Sequence, residues 1–550
     1  MIFRTTDMKQ NRDFSDSTII APATVAGTGA ISIIRISGKD AFETVDAIVS
    51  FRKGNAMSAK GYSIKYGVIY KTERNVEQSA DSPACAAAHG TDSTAKEVLD
   101  EVLCCIYRAP HSYTGEDSVE IMCHASAYIV GEILAIAMEH GCRMASPGEF
   151  TQRAFLSGKM DLAQAEAVAD VISSSNEMSH RVAINQLRGG FSSDLASLRE
   201  QLLEMTSLLE LELDFSEEDV EFADRSRLNA LVDTVIDHIS RLAGSFKLGN
   251  AIKNGIPVTI AGATNAGKST LLNSILGEQR AIVSDIAGTT RDTVEECFNV
   301  GGILFRFVDT AGIRTGNVGE IERIGIERSF ESIRKADIVI IVLDAFTLTD
   351  TLSNYAENEL TPSSVSSIAG DGLNDILSKV DWNSQHIIFA LNKMDLTGKI
   401  EECGTGLSGH CCGNKNVNSK NNLVSYIENQ ILINKGDDSD QSKVDIVEIS
   451  AKKGRGINVL LEVLTESQKE RLKNASASDS ILVTNLRHYE ALVTARKHLL
   501  DVRTDLNSGT PSDLVAEDLR AALSALGTIT GTISSQDVLN NIFGKFCIGK

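Results

Sequence analysis

Residues 258–269 read VTIAGATNAGKS, and this stretch decides the fold of the central part of the chain. An apolar run of strand character ends at Ala261, a glycine-bounded loop follows, and helical residues begin at Thr270. This order predicts a phosphate-binding loop, because backbone N–H groups at the start of such a helix surround phosphate oxygens. We expect Lys268 to reach the β- and γ-phosphates and the Ser269 hydroxyl to ligate Mg²⁺.

Four further motifs follow in the order that is typical of GTPases. The segment Gly288–Asp292 (GTTRD) offers a threonine to Mg²⁺, and Asp309–Gly312 (DTAG) offers a carboxylate to the Mg²⁺ shell. In Asn392–Asp395 (NKMD) a carboxylate can accept from guanine N1–H and N2–H₂, a pair of donors that adenine lacks. With Ser450–Lys452 (SAK) completing the base pocket, the sequence predicts GTP rather than ATP as the nucleotide.

The catalytic route must differ from that of many GTPases. Ile313 follows the DTAG motif where those enzymes carry the glutamine that orients the attacking water. Asn265, inside the phosphate loop, offers an oxygen to a monovalent cation that would add positive charge beside the phosphates. Glu322 is either a carboxylate that orients the water or an ordinary solvated acid on a helix surface.

Composition limits the classes of protein that the chain can belong to. Its 550 residues predict two to four domains. The net charge of -21 disfavours non-specific binding to nucleic acid or anionic lipid, so a partner is expected to help hold any RNA substrate. The ten cysteines lack the spacing of a disulfide framework, and no apolar run has the ~20 residues of a membrane span. We therefore expect a cytoplasmic protein with no membrane partner.

The pattern of periodicity predicts a multidomain chain of mixed α/β and α+β class. Short β-rich runs with interspersed helices predict an α+β domain, long helical periods predict an all-α domain in two parts, and alternating strands and helices between them predict an inserted Ras-like P-loop domain. Polar stretches at 78–96, 347–384 and 397–442 are expected to be loop insertions. The predicted segments are a leader (1–15), the α+β domain (16–157), the first helical part (158–253), the G domain (254–466) and the second helical part (467–550).

Strings outside the GTPase motifs carry a more specific resemblance. They are Asp16–Ile19, Arg35–Gly38, Ser112–Asp117, Pro147–Lys159, Asp161–Ala167, Glu322–Glu327 and the terminal Phe546–Lys550. With them the chain resembles the family of the tRNA modification GTPase MnmE, also called TrmE, over nearly its whole length apart from the leader and the three insertions.

The resemblance implies an activity, cofactors and partners. It implies that the α+β domain binds folate and mediates a homodimer, and that a potassium ion joins the two G domains and stimulates hydrolysis. It also implies that the protein acts with the flavoprotein MnmG, which brings the FAD, on carbon 5 of the wobble uridine of certain tRNAs. A tetrahydrofolate derivative is expected to supply the one-carbon unit.

The resemblance also assigns site residues by position. Potassium would be held by Asn265, Ser284, Ile286 and Thr289, and Mg²⁺ by Ser269 and Thr290. Glu322 would orient the water, so the predicted catalytic residues are Glu322, Lys268 and Cys547, although Cys547 read alone is a small buried residue near the tail. The folate contacts would be Arg35, Glu120, Lys159 and Lys550. The predicted nucleotide and cation contacts together are Asn265, Ala266, Gly267, Lys268, Ser269, Thr270, Ser284, Asp285, Ile286, Ala287, Gly288, Thr289, Thr290, Asp309, Thr310, Ala311, Gly312, Asn392, Lys393, Asp395, Ser450, Ala451 and Lys452.

Two departures from the family pattern and two alternative functions accompany this prediction. Ala125 and Ser126 stand where the family has two glycines, which affects the backbone beside the expected folate pocket, and Thr264 replaces a common proline.

One alternative is a regulatory or ribosome-assembly GTPase that transfers no group, for which a basic RNA-binding appendage would be expected. The other is a scaffold with a decayed site, which conflicts with the intact Lys268, Ser269, Asp309 and Asp395.

Overall fold

A computed structural model gives the fold of the chain. It describes residues 17–71, 97–214, 225–278, 295–308, 330–354, 373–396, 443–476 and 481–549. Contacts divide the chain into two compact units. The first comprises residues 1–169, 185–232 and 497–550, and the second comprises residues 170–184 and 233–496. The boundaries of the predicted three-part division remain a prediction.

The amino-terminal part of the first unit is an α+β domain built on a seven-stranded sheet in the order β3-β4-β5-β6-β2-β1-β7. Neighbouring strands are antiparallel except β1 and β7, which are parallel. The elements are β1 (Ile19–Pro22), β2 (Ile31–Ser37), α1 (Ala41–Ile48), β3 (Val49–Phe51), β4 (Ser63–Tyr70), β5 (Val98–Tyr107), β6 (Ser118–His124), α2 (Ala127–Glu139), β7 (Arg143–Met144) and α3 (Glu149–Leu156).

One face of this sheet forms the core of the domain. In β2 the side chains of Ile34 and Ile36 are fully buried, and the intervening Arg35 lies on the opposite face, as the period of two along a strand requires. Helices α1 and α2 cover the inner face with buried side chains such as Phe42 and Ile133. The opposite, outer face of the sheet carries polar and partly exposed side chains.

Five helices follow along the chain. They are α4 (Leu162–Ser173), α5 (Glu177–Leu187), α6 (Gly190–Asp214), α7 (Arg225–Gly244) and α8 (Phe246–Asn254). The apolar positions of α6, among them Leu195, Leu198 and Leu202, recur at three and four residues and are buried. The long helical periods in the sequence therefore form the helices that they predict.

The second unit contains the predicted G domain, with a six-stranded sheet in the order β13-β12-β11-β8-β10-β9. All neighbouring pairs are parallel except the edge strand β9, which is antiparallel to β10. The elements are β8 (Ile256–Gly262), α9 (Lys268–Glu278), β9 (Glu295–Val300), β10 (Ile303–Val308), β11 (Ile338–Asp344), α10 (Ala345–Asn354), α11 (Leu373–Leu377), β12 (His386–Asn392), β13 (Val444–Glu448) and α12 (Ile457–Ser476). The Ras-like P-loop fold class is confirmed.

Burial on both faces explains why the central strands are continuous apolar runs. Residues 338–343 of β11 are all buried, with alternate side chains in two separate apolar clusters. The carboxyl ends of parallel strands meet at one edge of such a sheet. The phosphate loop after β8 and the motifs after β12 and β13 are therefore brought to the same edge.

The structure differs from the loop expected over residues 347–384. Residues 347–354 belong to α10, and residues 373–377 form α11. Asp344 explains the start of α10, because its carboxylate accepts hydrogen bonds from the backbone N–H groups of Phe346 and Thr347 at 3.2 and 3.3 Å. Buried Leu373 and Trp382 fix the far end against the sheet. The insertions at 78–96 and 397–442 lie outside the described residues.

The chain ends in three helices, α13 (Leu486–Ser508), α14 (Ser512–Thr530) and α15 (Gln536–Phe543). Helix α14 packs on α6 of the same unit, with Leu519, Leu523 and Leu526 buried. Through the part of the chain that the structure covers, none of the helices is both long enough and apolar enough to span a bilayer.

Candidate functional site

The phosphate loop encloses the Lys268 side chain. Its Nζ donates to the backbone oxygens of Gly262 and Ala263 at 2.7 and 2.9 Å, and burial lowers the pKa of its ammonium group. Ser269 and Thr270 are exposed in the first turn of α9, where N–H groups favour an anion. The lysine and the hydroxyl that a nucleotide and Mg²⁺ require are therefore both present at the start of one helix.

Asn392 ties the phosphate loop to the loops that are expected to bind the base. Its side chain is 3% exposed, its Nδ2 donates to Ala266 O at 2.8 Å, and its Oδ1 accepts from Ala451 N at 3.0 Å. Gly267 has φ +101°, and a Cβ there would lie 2.2 Å from Asn392 Nδ2. Any side chain at position 267 would break this link, which explains the glycine.

Asp395 is held as an ionised acceptor at the same edge of the sheet. Ser450 Oγ donates to its Oδ1 at 2.8 Å, and Lys453 Nζ lies 3.3 Å from its Oδ2. The hydrogen bond from Ser450, followed by that from Lys453, lowers the pKa of the Asp395 carboxyl. An ionised carboxylate is an acceptor on both oxygens, which fits the two adjacent donors of guanine.

Lys393 anchors the loop that is expected to bind the base. Its backbone has φ +64°, and its Nζ lies 2.6 Å from Asp344 Oδ2 at the end of β11. Burial alone would raise the pKa of Asp344, but hydrogen bonds from Lys393 and Thr347 outweigh it and lower that pKa. Asp344 was not predicted from the sequence, although an acidic residue that ends a buried parallel strand is a signal that points to this edge.

Part of the predicted nucleotide and cation set lies outside the described residues. Of the predicted contacts, those described are Asn265, Ala266, Gly267, Lys268, Ser269, Thr270, Asn392, Lys393, Asp395, Ser450, Ala451 and Lys452. Those outside are Ser284, Asp285, Ile286, Ala287, Gly288, Thr289, Thr290, Asp309, Thr310, Ala311 and Gly312, and the predicted catalytic residue Glu322 and the predicted folate contact Lys550 lie outside as well. The roles given to both groups stay predictions.

A second group of predicted residues lies in the first unit, on the outer face of the amino-terminal sheet. Arg35 pairs with Glu120 on the neighbouring strand, with 2.8 Å between Nη2 and Oε1. The Arg35 guanidinium carbon lies 5.0 Å from the ring centroid of Tyr113 and 5.7 Å from that of Phe150. A cation, a carboxylate and two aromatic faces are thus combined in one place, and the two aromatic residues were not predicted.

The carboxyl-terminal tail is docked close to this group. The backbone oxygen of Cys547 accepts from Gly148 N at 3.4 Å, just before the helix that carries Phe150. Gly549 has φ +97°, and a Cβ there would lie 2.0 Å from Pro22 O at the end of β1. Cys547 is exposed, so the reading of it as a small buried residue does not hold.

Lys159 is fixed to the loop that carries Tyr113. Its Nζ donates to Pro110 O at 3.0 Å, which links the start of the helical part to the segment between β5 and β6. Of the four predicted folate contacts, the structure therefore places Arg35 and Glu120 in direct contact and anchors Lys159 through a backbone oxygen. The fourth, Lys550, lies outside the described residues.

A buried charge network holds these parts together. Glu149 is 2% exposed and Arg153 is 6% exposed, and the Nη2 of Arg153 donates to Glu149 Oε1 at 3.0 Å. Arg143 donates to Glu149 at 2.6 Å, and Arg153 pairs with Glu116 at 3.1 Å. The sequence signal was an acid and a base four residues apart on one helix. These ion pairs thus fix α3 to the loop over residues 108–117.

We predict that Glu149→Gln destabilises the protein by about 3 kcal/mol, because it leaves the buried Arg153 with less compensating charge. Burial alone would raise the pKa of Glu149, but hydrogen bonds from Arg143 and the Ser146 backbone lower it. The stabilisation is therefore complete above the ordinary glutamate pKa of about 4.3 and is lost as pH falls through the lower folded-state pKa. Chemical denaturation of parent and variant against pH measures both effects.

The matched control for this prediction is Glu210→Gln, which removes an exposed partner of Arg520. An exposed pair contributes about 0 to 1 kcal/mol, so this variant should unfold close to the parent. Equal stability of the Glu149→Gln variant and the parent at neutral pH would show that the network carries no stability.

Two family models match the chain. The model of the MnmE helical domain matches residues 162–547, and that of the GTP-binding protein TrmE N-terminus matches residues 18–159. The G domain of the T. maritima FeoB iron transporter has 20% sequence identity over 39% of this chain and 99% of that chain, with a TM-score of 0.22.

Curated relatives are similar over almost the whole chain. The chain is 42% identical over 543 residues to the tRNA modification GTPase MnmE of Bacteroides fragilis (strain YCH46), covering 98% of this chain and 100% of that protein. It is 43% identical over 541 residues to that of Parabacteroides distasonis, covering 97% and 100%. The protein of the same name from Flavobacterium johnsoniae is 40% identical over 539 residues, covering 98% and 100%.

Proposed function

This chain belongs to the family of the tRNA modification GTPase MnmE, and we propose that potassium stimulates its GTP hydrolysis. With an FAD-dependent MnmG-type flavoprotein, it modifies carbon 5 of the wobble uridine of certain tRNAs. The added group is of the aminomethyl or carboxymethylaminomethyl type. A tetrahydrofolate derivative bound to the amino-terminal domain supplies its one-carbon unit.

At the nucleotide site, each described residue has a distinct task. When nucleotide binds, Lys268 Nζ exchanges its hydrogen bonds to the backbone oxygens of Gly262 and Ala263 for contacts with the β- and γ-phosphates. Ser269 offers its hydroxyl to Mg²⁺. Asp395 accepts the two guanine donors. Asn265 lies exposed at φ +64° in the loop and offers its side-chain oxygen to potassium. Bound Mg²⁺ and K⁺ supply positive charge where the transferred phosphoryl group develops negative charge.

The observation that carries the folate part of the proposal is that the carboxyl-terminal tail docks beside the cluster of Arg35, Glu120, Tyr113 and Phe150. Arg35 and Glu120 offer a donor and an acceptor, and the rings of Tyr113 and Phe150 offer flat apolar faces. A folate derivative combines a flat heterocycle, which carries donors and acceptors, with anionic carboxylates. The tail places the exposed Cys547 next to the turn that leads into the Phe150 helix.

A homodimer through the amino-terminal domain is supported by an apolar row on the outer face of its sheet. Tyr66, Leu103, Met122 and Ile33 lie directly opposite one another on four neighbouring strands. Tyr66 is 40% exposed and Leu103 is 43% exposed. A second copy that covers this row would remove apolar surface from water. Sedimentation equilibrium of parent and Leu103→Glu tests this, and a variant as dimeric as the parent would exclude this face.

We place the protein in the cytoplasm, since none of the six cysteines among the described residues is in a disulfide, which suits a reducing compartment. The alternative of a regulatory or ribosome-assembly GTPase gains no support from a basic appendage, because the chain is acidic overall.

Reconstitution of the reaction tests the proposal. The purified chain is incubated with GTP, potassium, a tetrahydrofolate one-carbon derivative, the MnmG-type flavoprotein and unmodified tRNA. Mass spectrometry of the nucleosides should then show added mass on the wobble uridine only when every component is present. We expect Cys547→Ser to lose the product and Cys297→Ser, at another exposed cysteine, to keep it. GTP hydrolysis without any change in the uridine mass would contradict group transfer.

A further inference from the structure

Three metal-ligating side chains meet on two carboxyl-terminal helices, away from both sites described above. His498 and Asp501 lie three residues apart on α13, and Asp518 lies on α14. Their ligand atoms all lie within 4.8 Å of one another. His498 Nδ1 and Asp518 Oδ1 are 3.0 Å apart. Side chains at i and i+3 share one face of a helix, so both residues of α13 approach the same point on α14.

The charges of this cluster are poorly compensated. Within the described ranges, Asp501 has no hydrogen bond or ion pair, and Asp518 has one partner, His498. Two carboxylates this close repel each other unless a positive charge lies between them. A neutral imidazole does not supply that charge. A cation bound among the three side chains would supply it.

The donor set selects the class of cation. One imidazole nitrogen with two carboxylate oxygens suits divalent first-row transition metals, for which ligand bonds are about 2.0–2.2 Å. Two ligands on one such ion lie about 3.0–3.4 Å apart, and the His498–Asp518 pair already has this separation. His498 and Asp518 are each 31% exposed, so water can complete the coordination shell.

We propose that His498, Asp501 and Asp518 form a binding site for one divalent transition-metal ion, such as Zn²⁺. The ion connects α13 to α14 through bonds to both helices. The chain continues from α14 to α15 and the Cys547 tail, so the metal stabilises the helical support of that tail. This site is separate from the Mg²⁺ and K⁺ of the G domain and does not rest on the proposed modification activity.

Cobalt binding to the nucleotide-free, full-length chain tests the proposal. Co²⁺ substitutes for Zn²⁺, and its visible d–d bands report sites of nitrogen and oxygen ligands, whereas thiolate charge-transfer bands report any cobalt that cysteines hold. Equilibrium dialysis counts the bound metal. We expect Asp501→Asn and His498→Ala each to lose one equivalent per chain together with the d–d bands. Glu517→Gln, at an exposed carboxylate on α14, and His180→Ala, at an exposed histidine on α5, should keep both.

The variants also separate metal loss from unfolding. Asp501 is exposed, so its replacement by Asn should leave far-UV circular dichroism and thermal unfolding in EDTA unchanged. Zn²⁺ should raise the unfolding temperature of the parent and of Glu517→Gln but not that of Asp501→Asn. If Asp501→Asn and His498→Ala bind as much cobalt as the parent, or if the parent shows no nitrogen and oxygen site, then the contact between His498 and Asp518 only joins the two helices and the metal site is excluded.

Discussion

Replacing Asp395 by Asn is expected to transfer the specificity of the enzyme from GTP to xanthosine triphosphate. In the site proposed for the parent, the ionised carboxylate accepts from guanine N1–H and N2–H₂. The Asn side chain offers one acceptor and one donor, which leaves the guanine amino group facing an N–H. A site built to hydrogen-bond a group discriminates against a mismatched analogue by about 10⁴-fold, and kcat/KM for GTP should fall by about that factor.

Xanthosine triphosphate should restore activity in this variant, because its base carries a carbonyl oxygen where guanine carries the amino group. Steady-state hydrolysis of both nucleotides by parent and variant measures the change. Asp381→Asn is the matched control, since Asp381 also accepts from a serine hydroxyl, that of Ser384, in an exposed turn of the same unit. Undiminished use of GTP by Asp395→Asn would show that this carboxylate does not read the base.

Replacing Lys268 by Ala is expected to lower kcat for GTP by about 10³-fold. Its ammonium group is a half-buried cation in the phosphate loop, and one preorganised charge-stabilising donor contributes about 10²–10³-fold to kcat. Because the proposed contact of Lys268 with the phosphates forms in the ground state as well, KM should also rise. Single-turnover hydrolysis, with nucleotide affinity measured separately, resolves the two effects.

The control for Lys268 is Lys335→Ala, which removes an exposed lysine that pairs with Glu331 in the same unit. That pair is solvated, so the variant should keep the parental rate and unfold within about 0.5 kcal/mol of the parent. A Lys268→Ala enzyme that retains the parental rate while folded would require another cation at the phosphates.

The fold class and the nucleotide loops could be predicted from the sequence because local physics determines them. Strands β8, β11 and β12 are buried on both faces and read as largely apolar runs, and the glycines and Lys268 of the phosphate loop have fixed spacing. Parallel strands then bring the distant Asn392 and Ser450 to the same edge. Each step follows from composition and period, without knowledge of long-range pairs.

Pairings between distant residues could not be predicted in this way. The contacts of Tyr113 and Phe150 with Arg35 join segments that are far apart in sequence, and no period in the chain records them. The start of α10 depends on the Asp344 carboxylate, which converts part of a polar stretch into helix. Polar composition indicated a loop there. The prediction failed because caps and tertiary burial override local propensity.

The most direct test of cation-assisted GTP hydrolysis compares the parent in potassium and sodium buffers of equal ionic strength. We predict a rate lower by about 10²-fold in sodium, the size of losing one preorganised charge-stabilising group, with the potassium rate falling to the sodium level in Asn265→Ala. Glu322→Ala should be slow in both salts if that carboxylate orients the water. Equal parental rates in potassium and sodium would contradict the account, because hydrolysis would then proceed without the bound cation that is proposed to add positive charge beside the phosphates.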